Sequence, residues 1–330
     1  MIRNPCDLRG IAFIELAAPD PGAIHRLLVA FGFSRTMRDA GRDIDLYTQG
    51  SITMLLHRGP SGFAAAHGPS ICGMGWRCGN ARYAAEVAVA RGARAADGHA
   101  VYGIGDSLIY FVDEHASWES LGFQPLPAPE LVPSKGFIAI DHLTNNVPRG
   151  ELRTWAEFYE DVFGFVEVRY FDIRGVKTGL QSFALRSPCG TFCIPINEGT
   201  ETRSQIDEYL EEYRGPGIQH LAFLTYDILG SLRALEDTPI EFLDIDDDYY
   251  RSVFDRVPNV REDHAEIARR DVLVDGDADG YLLQIFTKNL IGPIFIELIQ
   301  RRNHQSFGEG NFGALFRSIE RDQQRRGYLT

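Results

Sequence analysis

The sequence predicts an α+β fold of two domains, each made of repeated strand–helix–strand–strand–strand (βαβββ) modules with an open, curved mixed sheet. Three observations predict it. The first is an internal repeat: Ala12-Phe-Ile-Glu15-Leu, an apolar helix and Phe31-Gly-Phe33 return as Ala139-Ile-Asp-His142-Leu, a helix and Phe163-Gly-Phe165. Gly68-Pro-Ser-Ile-Cys-Gly73 likewise returns as Gly215-Pro-Gly-Ile-Gln-His220. The second is the order within each unit, a short apolar strand, then a helix, then further strands. The third is a proline-rich stretch over 123–135, which disfavours helix and central strand alike. It divides the chain into an N-terminal domain (1–124), a linker (125–136) and a larger C-terminal domain (137–330).

The chain has 330 residues, more than the roughly 250–300 at which one core ordinarily splits. A hydrophobic fraction of 44% and a charged fraction of 24% are globular values. The formal net charge of −13 argues against nucleic acid and anionic membrane as partners. No stretch approaches the roughly 18–20 apolar residues of a membrane span, and the first residues carry no long apolar run. Five cysteines, an odd number with no CxxC pair, read as reduced thiols, and the expected location is the cytoplasm.

The best-marked helix covers 151–163. Leu152, Trp155, Phe158, Tyr159, Val162 and Phe163 recur at three- and four-residue steps, and Gly164 stands where a C-terminal cap glycine belongs. Strands follow at 166–171, 180–185 and 192–196, a helix near 227–235, and strands near 282–286 and 294–299. Asn311 begins a last helix, with Asn311 itself as the expected N-cap.

Three residues interrupt apolar strands: His142 in Ile138-Ala-Ile-Asp-His, His220 in Ile218-Gln-His, and Glu297 in Phe295-Ile-Glu. Period-two alternation aims each at the apolar side of its strand. A lone strand histidine is ordinarily a satisfied core or surface residue. Glu297 is harder to dismiss, because a buried carboxylate needs a cation or a protonated partner, and Arg301 or Arg302 would serve as an ordinary salt bridge. The spacing weighs the other way: 78 residues separate His142 from His220 and 77 separate His220 from Glu297, each on a comparable strand of a repeated unit. Two imidazoles and a carboxylate converging in a curved sheet form the facial triad of non-haem Fe(II) oxygenases. At this point the two readings stand level.

Longer motifs carry a resemblance. Leu282-Leu-Gln-Ile-Phe-Thr, Phe295-Ile-Glu-Leu-Ile-Gln-Arg, Phe307-Gly-Glu-Gly-Asn-Phe-Gly-Ala-Leu-Phe, Arg169-Tyr-Phe-Asp-Ile, Gly179-Leu-Gln-Ser and Ile194-Pro-Ile-Asn-Glu resemble the 4-hydroxyphenylpyruvate dioxygenase family of the vicinal oxygen chelate (glyoxalase-like) superfamily. The likeness spans nearly the whole chain and is densest from 140 to 329. It implies Fe(II) held by His142, His220 and Glu297. It implies a substrate pocket formed by Ser182, Pro195, Asn197, Gln205, Gln219 and Gln284, walled by Phe286, Phe307, Phe312 and Leu315. Phe316 and Ile319 are expected as core only. The implied reaction is the tyrosine-catabolic conversion of a 2-oxo acid and O2 to homogentisate and CO2, with the last helix as a lid. A homo-oligomer, dimer or tetramer, is expected.

Rival readings are 4-hydroxymandelate synthase on the same substrate, an extradiol dioxygenase, and a metal-free binding protein of the same fold. The stretch 94–108 is shorter than in most bacterial members. Glu15 falls where His142 does and Gly73 where His220 does, so the N-terminal domain is expected to be a scaffold without metal ligands. Asp275-Gly-Asp-Ala-Asp-Gly begins like an EF-hand loop, but its twelfth position is Phe286, so it reads as a turn. The acidic run 244–248 reads as a solvated loop.

Overall fold

The computed structural model describes residues 4–175 and 177–329. Four βαβββ modules follow one another, and each opens with a strand and the helix that it feeds. The first comprises β1 (Leu8–Ala17), α1 (Pro21–Ala30), β2 (Ser34–Asp39), β3 (Ile44–Gln49) and β4 (Ile52–His57). After α2 (Gly62–His67), the second runs through β5 (Ser70–Cys78), α3 (Ala81–Ala90), β6 (Ala95–Ala96), β7 (Ala100–Tyr102) and β8 (Leu108–Asp113). Then β9 (Gln124–Glu130) leads to the third: β10 (Phe137–Asn146), α4 (Leu152–Phe158), β11 (Val166–Arg174), β12 (Gly179–Arg186) and β13 (Cys193–Gly199). After α5 (Gln205–Tyr213), the fourth has β14 (Gly217–Thr225), α6 (Ile228–Leu235), the short helices α7 (Asp247–Tyr250), α8 (Val253–Arg256) and α9 (His264–Arg269), and β15 (Leu273–Gly276), β16 (Tyr281–Phe286) and β17 (Phe295–Arg302). The last helix is α10 (Phe312–Arg325).

Local chemistry explains the helix starts. The side chains of Asp20, Asn80 and Asp227 accept from the first turns of α1, α3 and α6. Ser204 and Asp207 close a reciprocal capping box at α5. The 151–163 helix forms, but only 152–158 is regular α-helix. Residues 159–163 widen into a π turn, and Gly164 ends it in the left-handed region at φ 80°.

Two mixed sheets result, ordered β6-β7-β8-β5-β1-β4-β3-β2-β9 and β11-β12-β13-β10-β14-β17-β16-β15. In each module the first and last strands run parallel to strands beside them, and the rest pair antiparallel. One expectation needs correcting. Residues 125–130, read as part of the linker, join Gln124 in β9 and pair with β2. The prolines do not forbid this, because β9 lies at the sheet's edge, where a missing N–H leaves no ladder bond unmade.

The halves also share one core. Trp76 of β5 packs against Phe163, Phe165 and Phe192 of the C-terminal half, with ring centroids 4.9–5.8 Å apart. Phe31 meets Phe137 and Phe223 in the same way. Burying rings of this size stabilises the joint by roughly 1.5–3 kcal/mol each. All five cysteines are free thiols. Among the described residues no helix is long and apolar enough to cross a membrane.

Candidate metal centre

The register of the second sheet puts three donors in reach of one point. His142 on β10 stands opposite Ala222 on β14, and Ala222 stands opposite Glu297 on β17. His220 lies two residues before Ala222, on the same face. A methyl group between the longer side chains leaves room above the sheet, and the sheet's curvature brings their tips together. His142 Nε2 lies 3.1 Å from Glu297 Oε2 and 3.3 Å from His220 Nε2, and His220 Nε2 lies 3.6 Å from Glu297 Oε2.

Hydrogen bonding at the far side of each ring fixes what this cluster lacks. His142 Nδ1 faces the Asp141 carboxylate at 2.8 Å, and His220 Nδ1 faces Gln219 Oε1 at 3.1 Å. Both partners accept, so both Nδ1 atoms donate. The two Nε2 atoms then face each other and Glu297. Burial pulls His142 down, but Glu297 and Asp141 outweigh it and raise it to about 9. Burial and the neighbouring His142 push His220 well below the usual histidine range. One proton on His142 satisfies one pair of acceptors, whereas a divalent cation satisfies all three. The donor set of two imidazoles and one carboxylate fits Fe(II) and leaves one side of the ion open.

Neither arginine offered as a partner for Glu297 reaches it by an ion pair. Arg301 sits four residues further along an extended strand, which separates the two Cα atoms by on the order of 13 Å. It instead grips Asp141 through two bonds, Nε–Oδ1 at 2.7 Å and Nη2–Oδ2 at 2.8 Å. Arg302 lies by Glu262 and the Tyr226 carbonyl. Burial opposes the charge on Asp141, yet Arg301 and His142 hold its carboxyl well below the ordinary carboxylate range. Arg301 also donates to the carbonyls of His304 and Ser306, tying the metal-facing histidine to the segment that leads into α10.

Above the triad lies a cleft of about 640 Å³, its open mouth included. His142, His220 and Glu297 form its floor. Ser182, Pro195, Asn197, Gln205, Gln219, Gln284, Phe286, Phe307, Phe312 and Leu315 all line it. Ser182 pairs with Asn197 across β12–β13, and Phe286 pairs with Glu297 across β16–β17. Gln284 Nε2 lies 3.5 Å from Glu297 Oε1, and Gln284 Oε1 accepts from Asn311 at 3.1 Å. The backbone closes tightly here: Gly308 has φ 81°, and a Cβ there would overlap the Gln284 amide.

Sequence reasoning missed Thr144, Phe171, Ile173, Leu180 and Phe295, which also line the cleft. Phe295 stacks on His220 with centroids 4.7 Å apart. Phe171 and Phe295 lay within the motifs that carried the resemblance, and the strand alternation of those motifs was the available signal. Phe316 and Ile319, expected as core only, do pack in apolar clusters, and they border the cleft as well.

The last helix is held down from several sides. Buried Glu320 accepts from the backbone N–H groups of Lys177 and Thr178 at the β11–β12 turn. The acidic loop is not merely solvated: Asp246 pairs with Arg317 and Arg321, and Asp244 pairs with Arg325. Asn311 is no N-cap. Its buried amide is spent on Gln284 and on Tyr249, whose hydroxyl lies 2.6 Å from Asn311 Oδ1. The EF-hand-like segment is a turn closed by Asp277 Oδ1, which accepts from the N–H groups of Asp279 and Gly280.

Residues 2–123 match the family described as hydroxyphenylpyruvate dioxygenase, N-terminal, and residues 139–285 match the glyoxalase/bleomycin resistance protein/dioxygenase superfamily. A 4-hydroxyphenylpyruvate dioxygenase of Legionella pneumophila is 44% identical, covering 99% of this chain and 98% of its own. The chain belongs to the 4-hydroxyphenylpyruvate dioxygenase family. Protein MelA of Shewanella colwelliana is 54% identical, over 99% of both chains. A solved triple variant of 4-hydroxymandelate synthase from Streptomyces coelicolor superposes with a TM-score of 0.84 at 28% identity, covering 96% of this chain and 99% of that one. The family assignment makes this chain a dioxygenase of the vicinal oxygen chelate superfamily.

Proposed function

We propose that the chain is an Fe(II)-dependent 4-hydroxyphenylpyruvate dioxygenase that converts 4-hydroxyphenylpyruvate and O2 to homogentisate and CO2. The observation that carries this reading is the convergence of three ligand atoms, His142 Nε2, His220 Nε2 and Glu297 Oε2, at the floor of an apolar cleft studded with neutral amides. His142, His220 and Glu297 are the residues that would hold the iron. Bound there, Fe(II) supplies the redox chemistry that sets dioxygen against the 2-oxo acid.

The protein's own residues orient the rest. Asp141 and Arg301 fix the tautomer and tilt of His142, and Gln219 does so for His220. Ser182, Asn197, Gln205, Gln219 and Gln284 offer donors and acceptors without net charge, which suits a phenol that becomes a quinoid ring. Phe286, Phe307, Phe312 and Leu315 keep water from the reacting ring, and α10 closes over it as a lid. Pro195 shapes the wall without offering an N–H that would need a partner.

The structural likeness to 4-hydroxymandelate synthase supports a second reading, in which the same cleft directs oxygen to the benzylic carbon. Product analysis separates the two. The purified chain is loaded with Fe(II) without air, given 4-hydroxyphenylpyruvate and then O2, and the aromatic product is identified. Homogentisate is expected. 4-Hydroxymandelate would establish the second reading, and an absence of oxygen uptake would overturn both.

A further inference from the structure

We propose that Glu15, His57 and Cys72 form a second divalent-cation site in the N-terminal half, selective for a borderline-soft ion of the zinc class rather than for iron.

The repeat locates the site. β1, β4, β5 and β8 pair with one another as β10, β13, β14 and β17 do. Through those pairings Phe13 takes the place of His142, Gly73 that of His220 and Tyr110 that of Glu297, while Glu15 stands where Thr144 does and not, as the sequence repeat suggests, where His142 does. The three positions equivalent to the ligands therefore offer a phenyl ring, no side chain and a phenol. Three positions equivalent to cleft-wall residues, however, carry donors. Glu15 stands where Thr144 does, and Leu16 aligns with Leu56 as Asn145 aligns with Ile196, so His57 stands where Asn197 stands. Cys72 precedes Gly73 as Gln219 precedes His220.

The geometry gathers these donors. His57 Nε2 lies 2.9 Å from Glu15 Oε1. The imidazole nitrogen, a Glu15 oxygen and Cys72 Sγ all lie within 4.8 Å of one another. In a tetrahedral site, metal–ligand lengths of about 2.0–2.3 Å put donor atoms on the order of 3.5 Å apart, so side-chain shifts of about 1 Å complete the set. Glu15 and Cys72 are buried, while His57 keeps 27% of its side chain exposed and gives an ion its entry and a water its place. Gly73 keeps the cluster compact, since a Cβ there would come within 2.8 Å of Glu15 Oε2 and 3.0 Å of the Tyr110 ring.

A simple Glu15–His57 ion pair explains two of these groups and leaves the thiol out. The only hydrogen bond of Cys72 among the described residues is a 3.5 Å contact to the Glu15 carbonyl. A thiol, an imidazole and a carboxylate together form a zinc or cobalt donor set, and thiolate ligation favours those ions over the oxygen-seeking ones.

The test is titration of the full-length chain with Co(II) under reducing, oxygen-free conditions. Two equivalents are expected. One of them should bring a thiolate-to-cobalt charge-transfer band in the near ultraviolet, which a site of two histidines and a glutamate cannot produce because it holds no sulfur. Cys72→Ser and, separately, His57→Gln should each lose that band and one equivalent, and His220→Ala should lose the other equivalent and keep the band. A single equivalent without the band, or a band that survives Cys72→Ser, overturns the proposal. The result is independent of the proposed reaction, which uses none of these residues.

Discussion

Asp141→Asn is the most informative single change, because one carboxylate serves three donors. Asp141 accepts from Arg301 Nε at 2.7 Å, from Arg301 Nη2 at 2.8 Å and from His142 Nδ1 at 2.8 Å. An asparagine of the same shape has one acceptor oxygen and one NH2 group. Whichever way it turns, its NH2 faces at least one of those donors, and Arg301, with 12% of its side chain exposed, loses its counter-charge. Breaking a fully buried pair in this way costs about 3–5 kcal/mol, which is the upper bound for this one. Losing the outer partner of a metal-ligating histidine costs about 10–100-fold in metal affinity. The expected variant therefore unfolds at a clearly lower temperature and binds Fe(II) 10–100-fold more weakly against a competing chelator. The sign of the pH effect follows from the carboxyl being held below its ordinary range. Its contribution is complete above the unfolded value near 4 and is lost only as pH falls through the lower folded value. The wild-type advantage is therefore flat between about pH 6 and 8. Metal affinity within twofold of wild type would refute the argument that Asp141 positions His142. An advantage that disappears as pH rises would refute the charge assignment.

Three further outcomes are expected. His220→Ala removes one of three converging donors from a buried site, and it should abolish both tight Fe(II) binding and oxygen uptake, measured by metal analysis and an oxygen electrode; full iron with normal turnover would contradict the triad. Because burial lowers His142 but Glu297 and Asp141 raise it to about 9, the metal-free protein carries a proton there at pH 7. Metal binding should then release about one proton, read from calorimetric titrations in buffers of different ionisation enthalpy, and affinity should fall about tenfold for each unit of pH below 9. Asp246→Asn removes half-exposed pairs to Arg317 and Arg321 worth under about 1 kcal/mol each, so the fold should survive. If α10 is a lid, oxygen consumption in that variant should exceed product formation; unchanged coupling would show that the acidic loop does not hold the lid.

Much of the site was legible in the sequence because its residues break local rules. A histidine or glutamate inside an apolar strand conflicts with its surroundings, and His142, His220 and Glu297 each did so at matching places in a repeat. Ser182, Asn197 and Gln284 came from the family resemblance of their motifs. Asp141 was not legible, because its role depends on Arg301, 160 residues away, and no local pattern links them. Nearness in sequence offered Arg301 or Arg302 as an ordinary salt-bridge partner of Glu297, but Arg301 pairs with Asp141 instead. Asn311 does stand at the start of the helix, but its side chain is used elsewhere. An asparagine before a helix favours capping, but burial beside Gln284 and Tyr249 offered its amide partners that the helix start did not. The prolines of 124–130 correctly ruled out a central strand but did not reveal an edge one. His57 and Cys72 drew no attention because neither stands at a position equivalent to a ligand of the other half; only the packed register brings them to Glu15.

The central claim is that one iron is held by His142, His220 and Glu297. Anomalous diffraction at the iron edge from crystals of the anaerobically Fe(II)-loaded chain tests it most directly. The account predicts one iron peak per chain, bonded to Nε2 of His142, Nε2 of His220 and a carboxylate oxygen of Glu297, with the remaining positions turned towards Phe307, Phe312 and the amide-lined cleft. An iron peak elsewhere, or a peak that lacks any of those three ligands, would contradict it.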